Sequence, residues 1–264
     1  MNISYPDHYK WCKEQYKDLP TTYQPILTDE SLHELTIQTG HNDDPRIGQM
    51  SFDASKKFNK SNDKNNFAVF INDIWDIRHV EGIATDIIEI LEVELFRSYA
   101  YVDHLHFYRT IESKAKRESS WIWHWDNNPA EQIKLMLYLN DVTEDNAPFQ
   151  YLRHKDTKKA LKMKTTRTGA NSWHPQTSRI PDIKSYLNKG YEIVSVTGNQ
   201  GKYILFDNNI LHRGISAIKG HRDAVIFNMR PCHFKIRPAA NPKYTGTWKH
   251  QDPVRDPMQY KPVS

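Results

Sequence analysis

From residue 99 onward, the chain consists of short apolar segments separated by polar turns. The first segment, Tyr99–Thr110, is rich in aromatic residues and contains no helix breaker, which is typical of a β-strand. Further segments of strand length follow at 121–124, 133–139, 149–152, 191–196, 202–206 and 224–229. Such strands must bury their apolar faces against each other, which favours two packed sheets. We therefore predict a mainly β fold with a double-stranded β-helix core, a jelly roll of the cupin-like type.

A helix is expected before these strands. Between residues 76 and 95, apolar side chains recur at helical spacing and would form one buried face. They are Val80, Ile83, Ala84, Ile87, Ile88, Leu91 and Leu95. We expect N-terminal helices of this kind to support the β-core.

The length of 264 residues suits one domain, because sandwiches and barrels of this size are commonly single units. We predict a single domain over residues 1–264, with an irregular N-terminal segment at 1–65 and a core at 66–231. A basic insertion at 153–190 interrupts the core, and a Pro-rich tail follows at 232–264. Long insertions are often lids or binding loops, although a solvated insertion with a short helix explains the same residues equally well.

Charge and composition exclude several classes of protein. The 36 basic and 32 acidic residues leave a net charge of +4, too diffuse to indicate nucleic-acid binding. No apolar run reaches the length that crosses a bilayer, and the first residues lack the pattern of a signal peptide. We expect a cytoplasmic protein that binds a small molecule and neither nucleic acid nor membrane.

The pair His124 and Asp126 is the strongest candidate for a metal site. Non-haem iron oxygenases hold their metal with two histidines and one carboxylate, and residues two apart in a strand project to the same side. Other His-x-Asp pairs begin at residues 41, 154 and 250, but they lie in polar or Pro-rich surroundings. Only the pair at 124 lies between an aromatic segment and a strongly apolar one.

A second histidine and an arginine complete the pattern. His212 follows the strand-like segment 201–207, and Arg222 opens the last predicted strand ten residues later. An arginine on a buried strand needs an anionic partner, and its planar fork suits bidentate recognition of a carboxylate. That carboxylate could belong to a bound diacid or to an acidic side chain of the protein, so both readings stay open here.

These residues resemble a known family. The stretch His124-Trp125-Asp126, the segment Leu137–Phe149 (LYLNDVTEDNAPF) and the segment Leu205–Gly214 (LFDNNILHRG), followed by Arg222, are similar to the phytanoyl-CoA dioxygenase-like family of iron(II)- and 2-oxoglutarate-dependent oxygenases. The resemblance covers roughly residues 99–231. A Pro-Gly-Ser-His stretch that is frequent in the family is replaced here by the sequence YLRHKD at 151–156.

The resemblance implies a role for each of these residues. His124, Asp126 and His212 would be the iron(II) ligands and hence the catalytic residues, and Arg222 would anchor 2-oxoglutarate. Tyr108 would also contact 2-oxoglutarate. The expected substrate contacts are His104, His106, Trp125 and Asn128.

The activity implied is a hydroxylation that consumes 2-oxoglutarate and O2 and releases succinate and CO2. The carboxylate at Asp126 favours oxygenation over halogenation, since related halogenases have a small residue there. Desaturation and ring closure stay possible. The basic segment 153–190 hints at a small polar or anionic substrate, although a solvated loop accounts for its lysines equally well.

Two other functions are compatible with the same sequence. One is a cupin-like metal-dependent enzyme that uses no 2-oxoglutarate, for which Arg222 would matter little. The other is a jelly-roll carbohydrate-binding module with exposed Trp121, Trp123 and Trp173. Such a module would have no need for three ligands to converge on a metal.

Overall fold

A computed structural model describes residues 36–71, 74, 77–96, 99–127, 132–164 and 178–232. Two helices precede most of the strands: α1 (Arg46–Lys60) and α2 (Val80–Leu91), the second continued by a π-turn at Glu92–Phe96. A short helix, α3 (Lys184–Leu187), comes later. The strands are β1 (Ile37–His41), β2 (Ala68–Ile71), β3 (Tyr99–Thr110), β4 (Trp123–Trp125), β5 (Ile133–Tyr138), β6 (Phe149–His154), β7 (Ser178–Ile180), β8 (Tyr191–Val196), β9 (Lys202–Asp207), β10 (His212–Arg213) and β11 (Arg222–Cys232).

The strands form two antiparallel sheets. The major sheet has the order β1-β9-β5-β11-β3-β2, and the minor sheet has the order β7-β4-β10-β6-β8. Strands that are distant in sequence are neighbours in both sheets, as a jelly roll requires. The prediction of a mainly β, double-stranded β-helix core with helical support is confirmed.

Side chains of the central strands point alternately to the two faces of the major sheet, which divides the core into two layers. On β11, Val225 and Phe227 face the helices, whereas Ala224 and Ile226 face the minor sheet. The helix side is filled mainly by aliphatic residues of α1, α2, β5 and β11. The side between the sheets contains more aromatic residues and surrounds the candidate site. One strand can serve both layers because its side chains project alternately to opposite faces.

Helix α1 is fixed to the major sheet through polar contacts as well as apolar ones. Arg109 on β3 makes two hydrogen bonds to the buried carboxylate of Asp223 on β11, at 2.7 and 2.8 Å. The same guanidinium donates to Asn59 and Ser55 of α1, at 2.7 and 3.1 Å. Arg109 therefore links two central strands to the helix that covers them.

The prediction that residues 1–65 are irregular is wrong for the part that the structure describes. Residues 46–60 form α1, and Ile47, Met50, Ala54 and Phe58 make its buried face. Charged residues between them lower the average hydropathy of the segment, which hides the period. Residues 37–41 form an edge strand, and polar residues are normal at an edge. A Cβ atom at Gly40 would overlap the end of the Tyr203 side chain, so a larger residue at this position would require that ring to move.

The basic insertion at 153–190 is likewise more regular than predicted. Its first residues complete β6, its residues 178–180 form β7 beside β4, and α3 lies near its end. The middle of the insertion, at 165–177, and the Pro-rich tail from 233 onward lie outside the described residues. Within the described part of the chain, no helix has the length and apolar character needed to cross a bilayer.

Candidate metal centre

Two short strands of the minor sheet bring the candidate ligands together. His212 on β10 is the direct register partner of His124 on β4, although 88 positions separate them in sequence. Asp126 follows β4, and its backbone N–H donates to the Asn208 carbonyl at 2.9 Å. One donor atom from each of the three side chains lies within 4.8 Å of the others, and all three side chains are buried.

Backbone hydrogen bonds fix the orientation of both imidazoles. The Nδ1 atoms of His124 and His212 lie 2.8 Å from the carbonyl oxygens of Ile122 and Ile210, respectively. A carbonyl only accepts, so each Nδ1 carries the proton and each Nε2 has a free lone pair. The His124 Nε2 lies 3.6 Å from Asp126 Oδ1. Metal-binding histidines usually donate their other ring N–H to a carbonyl or carboxylate in this way.

The protonation states also suit a metal. Burial lowers the pKa of His124, and burial together with the neighbouring His124 lowers the pKa of His212 to about 3. Burial alone would raise the pKa of Asp126, but Lys134 and the two imidazoles outweigh it and lower the pKa below its usual range. At neutral pH the site therefore offers two neutral imidazoles and one carboxylate, the forms that bind divalent metals.

The donor set fits iron(II). Two imidazole nitrogens and one carboxylate oxygen on one side of a common centre form the facial triad of non-haem iron oxygenases, which leaves the other side open. The open side faces a cavity of about 330 Å³ between the two sheets. A volume of this size is at the lower end of the range for small-molecule sites.

Arg222 lies in the wall of the same cavity and is an unusual buried cation. Its side chain is only 2% exposed. Its Nη2 donates to the Tyr108 hydroxyl at 3.0 Å and to the Thr110 hydroxyl at 3.1 Å. Its Nε and Nη1 have no hydrogen-bond partner among the described residues. Two unsatisfied donors on a buried cation fit the carboxylate of a bound diacid such as 2-oxoglutarate.

Within the described chain, no acidic side chain pairs with Arg222, so the salt-bridge reading of this residue is not supported. The adjacent Asp223 points to the opposite face of β11 and binds Arg109. His221 and Asp223 form another His-x-Asp pair, so the motif by itself does not identify a site. His41–Asp43 and His154–Asp156 are surface pairs, and His250 lies outside the described residues.

The remaining predicted site residues have different outcomes. Tyr108 and His106 line the cavity, as expected of contacts to co-substrate and substrate. His104 lies on β3 opposite Asn228, but its side chain is outside the described part, as is the whole of Asn128. Trp125 is on the opposite face of β4 from His124 and packs with Trp123 and Leu152, so its position does not support the expected substrate contact.

The tryptophans also bear on the carbohydrate-binding alternative. Trp121 and Trp123 are buried rather than exposed, and Trp173 lies outside the described residues. Trp121 stacks on Phe67 with ring centroids 4.6 Å apart, and Trp123 lies beneath the Arg213 guanidinium. Neither ring offers the exposed face that a sugar ring would stack on.

Lys134 and Tyr138 are among the residues in or near this cavity that sequence reasoning did not identify. Lys134 lines the cavity, and its ammonium donates to Asp126 Oδ2. Tyr138 lies near Arg222, and its hydroxyl donates to the Val196 carbonyl at 2.9 Å. Along β5, Lys134 and Tyr138 project to the same side as Met136, which is the side that faces the minor sheet. Lys134 could have been found, because it is the one charged residue in the apolar segment 133–139.

A family model described as Phytanoyl-CoA dioxygenase (PhyH) matches residues 38–216. The match begins near the start of β1 and includes α1, whereas the motifs alone indicated residues 99–231. No protein with a curated description matches the sequence significantly.

Solved structures with a similar fold include EctD from S. alaskensis with bound Fe. That likeness has 13% identity and a TM-score of 0.54, and it covers 85% of this chain and 86% of the EctD chain. EctD with 2-oxoglutarate and 5-hydroxyectoine matches with 14% identity and a TM-score of 0.52, over 79% of this chain and 77% of that one. SnoN, a non-heme alpha ketoglutarate dependent epimerase from nogalamycin biosynthesis, matches with 11% identity and a TM-score of 0.50, over 86% and 84% of the two chains.

Proposed function

Because the chain belongs to the phytanoyl-CoA dioxygenase family and is an iron(II)- and 2-oxoglutarate-dependent oxygenase, we propose that it hydroxylates a small polar or anionic substrate. Succinate and CO2 would be the other products. One observation carries the proposal: the convergence of His124, Asp126 and His212 in the cavity that also holds the buried, partly unsatisfied guanidinium of Arg222.

The proposed iron(II) ligands are His124, Asp126 and His212. Their donor atoms are close together, their protonation states are suitable, and both imidazoles are held by backbone carbonyls. When bound there, iron(II) supplies the activation of O2, and 2-oxoglutarate supplies the two electrons that substrate oxidation does not. The cupin-like alternative without 2-oxoglutarate gives no reason for a buried, unsatisfied Arg222 in the same cavity.

The proposed task of Arg222 is to bind the distal carboxylate of 2-oxoglutarate. Tyr108 and Thr110 accept from Nη2 of the guanidinium, and Nη1 and Nε have no partner among the described residues, so donors on this cation are available for a carboxylate of the co-substrate. Burial raises the pKa of Tyr108, so its hydroxyl stays protonated and can also donate to a carboxylate. Phe149, Phe206 and Ile226 line the cavity and would exclude water from the reacting groups.

The size and lining of the cavity support a small substrate with polar groups. Its volume of about 330 Å³ must hold 2-oxoglutarate as well as the reacting part of the substrate. His106 lines the cavity, and we propose it as a substrate contact. We also propose that residues 1–264 form a single oxygenase domain, since α1 and α2 pack on the sheet that carries Arg222.

The proposal is tested by measuring succinate release with iron(II), ascorbate and 2-oxoglutarate across a panel of amino acids, nucleotides, sugars and lipids. We expect a polar or anionic compound to stimulate turnover and to gain one oxygen atom, detected by mass spectrometry. His212→Ala should abolish that stimulation. A stimulating compound that is apolar, or a product without added oxygen, would contradict the proposed substrate class or the proposed hydroxylation, respectively.

A further inference from the structure

Lys134 is a charged side chain in an otherwise apolar strand of the core. It lies on β5, between Asn228 of β11 and Phe206 of β9 in the sheet register. Its side chain is 17% exposed and lines the cavity. Its Nζ donates to Asp126 Oδ2, whereas Asp126 Oδ1 is the oxygen that faces His124 Nε2.

In the described part of the chain, the acidic partner of Lys134 is Asp126. That pairing stabilises the metal-free site, because a buried carboxylate without a counter-charge is costly. Asp126 is also a proposed metal ligand, and a divalent cation beside it would supply the counter-charge instead. A metal bound through Oδ1 would leave Oδ2 with Lys134, and two cations that share one carboxylate repel each other, so the ammonium would be only partly neutralised and would attract a further anion.

The position of Lys134 relative to Arg222 indicates where that partner would come from. Arg222 and Asn228 face the same side of β11 and are six residues apart, which corresponds to about 20 Å along a strand. Lys134 is the register partner of Asn228, so the two cations stand at opposite ends of the inner face of the sheet. The distal carboxylate of 2-oxoglutarate is proposed to bind at the Arg222 end of this face.

We propose that Lys134 determines substrate specificity by binding an anionic group, a carboxylate or a phosphate, of the primary substrate. The inference rests on the proposed function and deepens it, because it assigns the anionic part of the substrate to one side chain. The exposed rim of the cavity carries Glu118, an acidic residue that would not attract such an anion, so the inner ammonium is the recognition group. His106, which also lines the cavity, lies between the two cations in the register.

The test uses methylphosphonate as an anionic probe and dimethyl sulfone as a neutral compound of similar shape. Each is titrated anaerobically into the protein loaded with iron(II) and 2-oxoglutarate, and binding is followed by the change in tryptophan fluorescence, to which Trp121 in the cavity wall contributes. We expect saturable binding of methylphosphonate only. Lys134→Met should weaken it at least about tenfold, and Lys134→Arg should restore most of the affinity.

Lys219→Met is the matched control, since Lys219 is an exposed lysine on a surface turn, and it should bind the probe as the wild type does. Lys134→Gln, which keeps a hydrogen-bond donor to Asp126 without the charge, serves if the methionine variant does not fold. The proposal is overturned if the wild type does not saturate, if it binds the sulfone equally well, or if the Lys134 variants without a charge keep full affinity. If the wild type does not form the iron–2-oxoglutarate absorption band, the proposed function is contradicted instead. Failure of the Lys134 proposal is therefore distinguishable from failure of the proposed function.

Discussion

The Arg222 side chain is held in the fold by hydrogen bonds and still has donors available for a ligand. Its guanidinium is buried, yet two of its three nitrogens have no partner among the described residues. An unsatisfied buried cation is costly, and structures retain such groups mainly where a ligand satisfies them. The ring of Tyr108, 5.3 Å from the guanidinium carbon, gives partial compensation while the ligand is absent.

Replacing Arg222 with methionine should therefore raise the free energy of unfolding and lower the affinity for 2-oxoglutarate. Without co-substrate, we expect the variant to be more stable than the wild type by on the order of 1 kcal/mol, because the uncompensated buried charge is gone. With iron(II) present, its affinity for 2-oxoglutarate should fall by on the order of 100-fold. Thermal unfolding with and without 2-oxoglutarate measures both effects. Equal stabilisation of the two proteins by 2-oxoglutarate would contradict this role of Arg222.

At the same scale, sequence reasoning had clear limits. His124, Asp126 and His212 were predictable, because flanking apolar segments distinguished this His-x-Asp pair from the others. Trp125 was predicted to contact the substrate, although strand alternation places it on the opposite face of β4 from His124. Whether Lys134 reaches Asp126 depends on a contact between two sheets, which no local pattern encodes.

Among the secondary-structure elements, α1 is the clearest case of a hidden periodic pattern. Its buried residues recur at helical spacing, but lysines and other polar residues between them make the segment look irregular. The β-core was easier to predict, because its strands are apolar and end at polar turns. The pairing of β4 with β10 could not be predicted, since it joins strands of three and two residues across 88 positions.

Helix α1 offers a matched pair of phenylalanines for testing its role. Phe58 is 3% exposed and packs against the sheet, whereas Phe52 on the same helix is 54% exposed. We expect Phe58→Ala to lower the free energy of unfolding by about 3–5 kcal/mol, because it leaves a cavity in the core. Phe52→Ala should change it by less than about 0.5 kcal/mol. Urea denaturation measures both values, and similar losses in the two variants would mean that α1 does not pack as described.

For the whole molecule, the metal centre links folding to pH. In the unfolded chain His212 titrates near its ordinary pKa of about 6.5, whereas burial lowers its pKa to about 3 in the folded, metal-free chain. The unfolded state therefore binds more protons below pH 6.5. The stabilising contribution is complete above that pH and is lost as the pH falls from about 6.5 towards 3.

Metal-free protein should accordingly melt at a lower temperature at pH 5.5 than at pH 7.5. His212→Asn should reduce that difference, because the titrating imidazole is absent. Addition of a divalent metal at pH 7.5 should raise the melting temperature of the wild type and leave the variant nearly unchanged. An unchanged pH dependence in the variant would show that other groups are responsible.

The central claim is that one cavity binds iron(II) through His124, Asp126 and His212 and binds 2-oxoglutarate through Arg222. The most direct measurement is the visible charge-transfer absorption that forms when iron(II) and 2-oxoglutarate are added together to the purified protein without oxygen. We expect the band in the wild type, no band with His212→Ala, and a band that requires far more 2-oxoglutarate with Arg222→Met. A wild type without the band, or a His212→Ala variant that keeps it, would contradict the account.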